Sequence, residues 1–271
     1  TDTTEFEGNL DRGIITRIVE QNTGNFAAPV NQIINNRKYQ FSYWTDNFNA
    51  GNSISLSPTD NIRKTAFYKM LQASNNSAAF NNSGQNKFIA TEDENGQMTG
   101  NRLAYESIGK VWLETKSNST DWVLANGGKP LNNGEPAAFA SFDANSNVID
   151  SKIIYQDGSS VKIDIFNENG LYNGYSVVKT GGTAPEMKPV IVSTIAGRVM
   201  AVWKEADGLY YRFGCYTTSN PEKIFWYVEP VWIDGTDGNS DNPTIAAGRV
   251  ADLNNAIFHI AWQQGTSKII R

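Results

Sequence analysis

The sequence predicts an all-β chain built from repeated antiparallel sheets, and three observations predict it. A ten-residue hairpin pattern recurs along the chain. Short apolar runs opened by proline stand upstream of most copies. The composition joins turn formers to strand formers, with Gly 23, Trp 7, Tyr 11 and Phe 13 against only 19% charged residues. Asn and Gly tolerate positive φ in tight turns, while aromatic and β-branched side chains fill half-buried strands. So high an aromatic content excludes a disordered polymer.

The four plain copies of the hairpin are Tyr105–Glu114, Tyr155–Asp164, Trp203–Arg212 and Trp262–Arg271. Each begins on an aromatic that ends an apolar run, crosses a polar turn, and finishes on a second β-rich run. A weaker copy starts at Trp44, within Gln40–Leu56. The starts lie 61, 50, 48 and 59 residues apart. Strand-type repeats of roughly 50 residues are the signature of propeller blades. The expected architecture is a β-propeller of five four-stranded blades.

Taken in chain order, residues 1–12 form an N-terminal arm and 13–271 a single domain. Gly13–Gln21 is β-rich and precedes the first proline motif. It is expected to pair with the last blade, whose fourth strand is missing, so that residues 13–22 close the ring and leave no open edge. The blades are expected at about 29–72, 83–126, 136–181, 188–234 and 242–271. Pro29, Pro136, Pro189 and Pro243 open the first strand of four of them, since Pro is tolerated at a strand start. The second blade lacks the proline, and Asn86–Glu92 is its first strand. Each second strand ends on the hairpin aromatic. Val199–Trp203 and Ile257–Trp262 are almost continuously apolar, as a sheet covered on both faces requires. Fourth strands are expected at Trp122–Asn126, Tyr175–Thr180 and Ile224–Ile233. Arg63–Gln72 carries apolar residues that fit a helical face, but the repeat places a strand there.

The stretch Arg102–Leu131 contains Tyr105-Glu-Ser, Val111-Trp and Ser117-Asn-Ser-Thr-Asp-Trp122. It resembles secreted, sialidase-like propeller repeat proteins of Bacteroidota-type bacteria, often cargo of the type IX secretion system. The Trp203 and Trp262 hairpins look similar, so the resemblance spans roughly residues 80 to 271. It implies a propeller and export to the cell surface or beyond, and it implies no reaction. The Asp-box pattern of that family is out of register here, and its sorting domain is absent from this sequence.

A formal net charge of −5 and a pI near 5.0 argue against nucleic acid, which needs clustered Lys and Arg. No run approaches the roughly 18 apolar residues of a spanning helix. The chain opens at Thr1 without a basic-then-apolar leader, which reads as a processed or trimmed chain. The lone Cys215 excludes an internal disulfide.

Glycoside hydrolysis needs two carboxylates facing across a sugar. The candidates are Glu106 and Glu205, one and two places after a hairpin aromatic. Their counterparts are Gln156, Asp157, Gln263 and Gln264, a variation that suits solvated turns better. The only histidine, His259, is expected on a buried strand, and one His with one Cys makes no usual zinc site. Asp234, Asp237, Asn239 and Asp241 resemble the first half of a calcium loop without its terminal Glu, which makes Ca²⁺ the cofactor candidate. Weaker spacings occur at Asp93 and Asp143. Trp226, Tyr227 and Trp232 lie on a presumed outer strand and are the candidate platform for a glycan. Asn75, Asn81 and Asn118 stand in Asn-x-Ser/Thr sequons.

Two functions follow. One is a non-catalytic extracellular propeller that binds a glycan or a cell-surface protein, or self-assembles. A variant has the N-terminal strand completing a neighbour's blade and so propagating a filament. The other is a glycoside hydrolase of sialidase-like or five-bladed type.

Overall fold

The computed structural model describes residues 6–7, 14–21, 25–55, 62–77, 79, 85–92, 97–131, 137–142, 148–167, 170–194, 196–217, 220–248, 256–265 and 269–270. In chain order the first strands are β1 (Phe6–Glu7), β2 (Ile14–Gln21), β3 (Asn25–Ala27), β4 (Asn31–Ile34), β5 (Arg37–Trp44), β6 (Ser53–Ser55) and β7 (Ile62–Met70). There follow β8 (Phe88–Glu92), β9 (Met98–Ser107), β10 (Lys110–Ser117) and β11 (Val123–Leu124). Next come β12 (Ala137–Phe142), β13 (Val148–Asp157), β14 (Ser160–Asn167) and β15 (Tyr172–Lys179). The last are β16 (Val190–Ser193), β17 (Arg198–Glu205), β18 (Gly208–Thr217), β19 (Asn220–Trp226), β20 (Val231–Trp232), β21 (Ser240–Ala247), β22 (Phe258–Gln264) and β23 (Ile269–Ile270). Among the described residues the one helical piece is a short 3₁₀ turn at Asn126–Gly128. The chain is all-β, and every named pairing is antiparallel.

The second, third and fourth sheets run in chain order: β8 to β11, β12 to β15, and β16 to β19. β20 also pairs with β18, so the expected outer strand Ile224–Ile233 is split in two. β21, β22 and β23 make the fifth sheet. The hairpins at Tyr105, Tyr155 and Trp203 form as the pattern requires. Tyr105 faces Trp112, Tyr155 faces Lys162, and Trp203 faces Tyr210. Arg63–Gln72 is strand over Ile62–Met70, so the repeat overrides the helical spacing.

The first sheet departs from expectation. Its order is β1-β2-β7-β5-β4. The segment expected to close the last blade pairs instead along the whole of β7, from Ile14 opposite Lys69 to Gln21 opposite Ile62. β7 needs a partner on its outer side, and the chain after Met70 leaves for the second sheet. The N-terminal strand supplies the partner and satisfies a full-length ladder. The Trp44 copy is not a tight hairpin either. Trp44 ends β5, but the returning strand is β7, and the intervening β6 pairs with β3. In the fifth sheet Pro243 lies inside β21 at a register break between Asp241 and Thr244, where a missing N–H is tolerated.

One part of the core, Tyr39, Phe41, Trp44, Ala66 and Tyr68 with Ala28, lies on the first sheet, and the rest lies in seams between successive sheets. Phe67, Tyr105, Trp112 and Leu124 fill the seam between the first and second. Val111, Leu113, Ile153, Tyr155 and Phe166 fill the next. Ile154, Val161, Ile163, Val199, Trp203 and Met187 fill the largest, between the third and fourth. Strands buried on both faces explain the near-continuous apolar runs. The fifth sheet is the exception: β22 is only half-buried, and His259 is exposed rather than buried as expected.

Candidate functional site

The hairpin geometry builds two kinds of polar pair. Across an antiparallel ladder, a residue and its diagonal neighbour two places on share a face. Tyr105 faces Trp112, so Glu114 is its diagonal neighbour, and the Tyr105 hydroxyl donates to Glu114 Oε1. The third sheet repeats this: the Tyr155 hydroxyl donates to Asp164 Oδ1 at 3.1 Å. The Trp hairpins use a different acceptor. Trp203 Nε1 donates to Glu205 Oε1 at 2.7 Å, and Trp262 Nε1 to Gln264 Oε1 at 3.0 Å. Where the aromatic is Tyr, the hairpin ends on an acid. Where it is Trp, the acceptor stands two places on, and the tenth residue is Arg212 or Arg271.

This assigns both candidate catalytic carboxylates. Glu205 gives its second oxygen to Thr183, accepting from the backbone N–H at 2.5 Å and from the hydroxyl at 2.8 Å. Glu106 accepts from Gly109 N at 2.6 Å and from Asn76 Nδ2 at 2.5 Å. Both are buried and every carboxylate oxygen is engaged in fixing a turn. They stand in the second and fourth sheets with the third between them. Glu205 lines a cavity of about 320 Å³ with Lys179, Asp207 and Tyr210, but as structure rather than as a free acid. Two further carboxylates, Asp46 and Asp157, pair with Lys64 and Lys162.

The calcium loop does not converge. Asp237 Oδ1 accepts from Asn239 N and from Gln264 Nε2, both at 2.8 Å. Asp241 turns the other way. Burial raises its carboxyl, but the Lys188 hydrogen bond, the Asn242 N–H and the Lys188 and Lys204 charges together hold it below the ordinary value. Lys188 Nζ lies 3.0 Å and Lys204 Nζ 3.5 Å from that carboxylate. Two ammonium groups already occupy the place a cation needs, so the donor set does not fit Ca²⁺. Among the described residues no three His, Cys, Asp or Glu side chains gather to hold an ion. Asp93 and Asp143 lie outside the described residues.

The three candidate aromatics are separated by the pleat. Trp226 faces Gly214 and Trp232 faces Tyr210, which puts both on the side of β18 that carries Arg212. The Arg212 guanidinium lies 5.3 Å from the Trp226 ring and reaches the third sheet at Val178 O, 3.0 Å away. Tyr227 stands on the opposite side. Its ring lies 5.7 Å from Phe213, its hydroxyl donates to Cys215 Sγ at 2.7 Å, and the Arg198 guanidinium sits 5.0 Å from its centroid. Phe213 in turn meets Phe258 of the fifth sheet at 5.7 Å. Of the three, Tyr227 (52%) and Trp232 (44%) are exposed, as is the neighbouring Phe225 (39%). Trp226 is largely covered, and its buried Nε1 has no partner among the described residues.

A buried triad, none of whose members is among the candidates above, lies at the seam of the first two sheets. Lys69 Nζ donates to Met70 O at 2.7 Å, Ala73 O at 2.5 Å and Tyr105 Oη at 3.1 Å. Burial lowers the ammonium to about 8, partly offset by the Glu114 charge. Burial raises the Glu114 carboxyl against its bonds to Tyr105 and Gln72 and the charge of Lys69, and Glu114 Oε2 is buried without a partner among the described residues. The signal was present, because Tyr105 and Glu114 are the two ends of one hairpin copy.

No family model and no curated protein matches the chain. Among solved structures it is similar to a point mutant of NanB sialidase from Streptococcus pneumoniae, with a TM-score of 0.48 and 10% identity over 97% of this chain and 52% of that one. It is similar also to NanB with Optactamide, with a TM-score of 0.46 and 10% identity over 98% and 52%. The chain spans about half the length of these structures. At such scores and identities neither fixes a shared architecture or activity. No described helix is long and apolar enough to cross a membrane.

Proposed function

We propose that the chain is a non-catalytic, extracellular β-propeller module that binds glycans through exposed aromatic side chains on the outermost strands of its fourth sheet. The observation that carries this is the exposure of Phe225 and Tyr227 on one face of the outer edge of the fourth sheet, with Trp232 exposed on the other face. An exposed ring offers a face to the C–H side of a pyranose, and charged groups beside it meet the hydroxyls. Arg198 flanks Tyr227, and Asp207, bonded to the Tyr210 hydroxyl at 3.0 Å, lies near Trp232. The radial arrangement is supported by the first strands of four sheets, since β8, β12, β16 and β21 are neighbours in that order. A catalytic reading would need an uncommitted carboxylate pair, and Glu106 and Glu205 are both committed.

The test is a glycan array with the parent chain and with Tyr227→Ala and Trp232→Ala, alongside a panel of chromogenic glycosides. Retained array binding by the double variant rejects the aromatic site. Turnover of any glycoside that is lost with Glu205→Gln, in a variant that still folds, rejects the non-catalytic assignment.

A further inference from the structure

A second cleft opens at the seam of the first and second sheets, away from the aromatic strands of the fourth. Its volume is about 670 Å³, within the range of small-molecule sites. Three connections meet there. One is the β4–β5 turn, where Asn35 and Asn36 take left-handed φ of 51° and 60°. The second is the segment after β7. The third is the β10–β11 connection, which carries Asp121 and Trp122.

The floor is held rigidly from beneath. Lys69 ties the carbonyls of Met70 and Ala73, and Glu114 Oε1 accepts the Gln72 N–H at 2.8 Å. Leu71 N donates to Lys38 O at 3.1 Å. Gln72 is thereby kept at φ 54°, a left-handed conformation that a non-glycine residue holds only when its surroundings impose it. Lys38 and Asp121 pair across the two sheets at 3.4 Å and form a wall. Trp122 stands half-exposed at the cleft, its ring 6.3 Å from Phe88, and its indole N–H finds no acceptor among the described residues.

We infer that this cleft binds the end of a neutral oligosaccharide, with Trp122 as the stacking platform. The chemistry is one flat ring beside a fan of donors and acceptors: the amides of Asn36 and Gln72, the mutually paired Asp121 carboxylate and Lys38 ammonium, and the Arg37 guanidinium, which already has a partner. Sugar hydroxyls both donate and accept, so they match this mixture. A purely apolar ligand would strand these groups. An anionic ligand would have to approach Asp121. The buried triad acts here as a positioning device, holding a floor that presents the Gln72 side chain. The inference concerns a different seam from the proposed aromatic site and stands without it.

The experiment is isothermal titration of the full chain with cellotriose, maltotriose, xylotriose and chitotriose, with trigalacturonate as an acidic control. At least one neutral trisaccharide should bind with a millimolar or tighter dissociation constant. Trp122→Ala should weaken it at least tenfold. Gln72→Gly, which keeps the left-handed bend and deletes the amide, should weaken it several-fold and guards against misfolding of the first variant. The titrations are repeated in the Tyr227→Ala, Trp232→Ala background, which removes the proposed aromatic site, so that binding which persists there and falls with Trp122→Ala is read at this cleft alone. Binding of none of the neutral sugars, binding of trigalacturonate alone, or undiminished binding by the Trp122 and Gln72 variants would overturn the inference.

Discussion

Replacing Asp164 by Asn is expected to remove a pH dependence of stability whose size follows from the structure. The carboxyl is 4% exposed, and burial raises it from 3.8 to about 6. The Tyr155 hydrogen bond and the Lys162 charge oppose the rise, while Asp157 adds to it. Between about pH 4 and pH 6 the folded protein therefore holds a proton that the unfolded chain has released. Stability must fall as pH rises through that window, and the loss is complete above the folded value. A displacement of about two pK units corresponds to about 3 kcal/mol. Asn keeps the shape and an acceptor for Tyr155 but carries no charge. Urea unfolding of both proteins from about pH 4 to pH 7.5 reads the difference directly. The two should agree at the acid end, and the variant should be about 3 kcal/mol more stable at neutral pH. Stability curves that run parallel throughout would refute the claim that burial dominates Asp164.

Three further outcomes are expected. Lys69→Met leaves Glu114 buried without its cation and should cost about 3–5 kcal/mol in urea unfolding; adding Glu114→Gln should recover most of it, and no recovery would mean the triad is not an electrostatic unit. Gly128→Ala should cost about 2 kcal/mol, because φ is 86° and the new Cβ would meet Phe41 O at 2.7 Å. Gly158→Ala, at φ 58° in open space, should cost only about 1 kcal/mol, and equal losses would show that the close approach is unimportant. Deleting residues 1–22 uncovers the edge of β7, so light scattering should show self-association that a peptide of residues 13–22 reverses. A truncated chain that stays monomeric and equally stable would show that β2 is dispensable.

Much of the fold was legible because hairpins are local. Tyr105, Tyr155 and Trp203 each stand two residues before the end of a strand, a turn follows, and the returning strand pairs by adjacency alone. The apolar run Val199–Trp203 also announced its burial, whereas Ile257–Trp262, read in the same way, is only half-buried. The helical spacing at Ala66, Phe67, Met70 and Leu71 misleads only when read without the repeat. The site was less legible. Glu106 and Glu205 look like exposed turn acids in sequence, yet each is folded under a neighbouring loop at Asn76 or Thr183. Trp226, Tyr227 and Trp232 look like one stripe, yet adjacent residues of a strand point to opposite faces, and the break before β20 decides which ones meet.

By itself the sequence determined the all-β class, the positions of three hairpins and the aromatic that anchors each, because these follow from short-range turn chemistry and strand periodicity. Only the tertiary structure decided where Ile14–Gln21 pairs, which lysine lies beneath the Met70–Ala73 bend, and that Asp241 faces two ammonium groups. Those outcomes depend on which distant strand offers an open edge or an uncompensated charge. Backbone groups and buried ions find their partners through space, and no spacing along the chain records that distance.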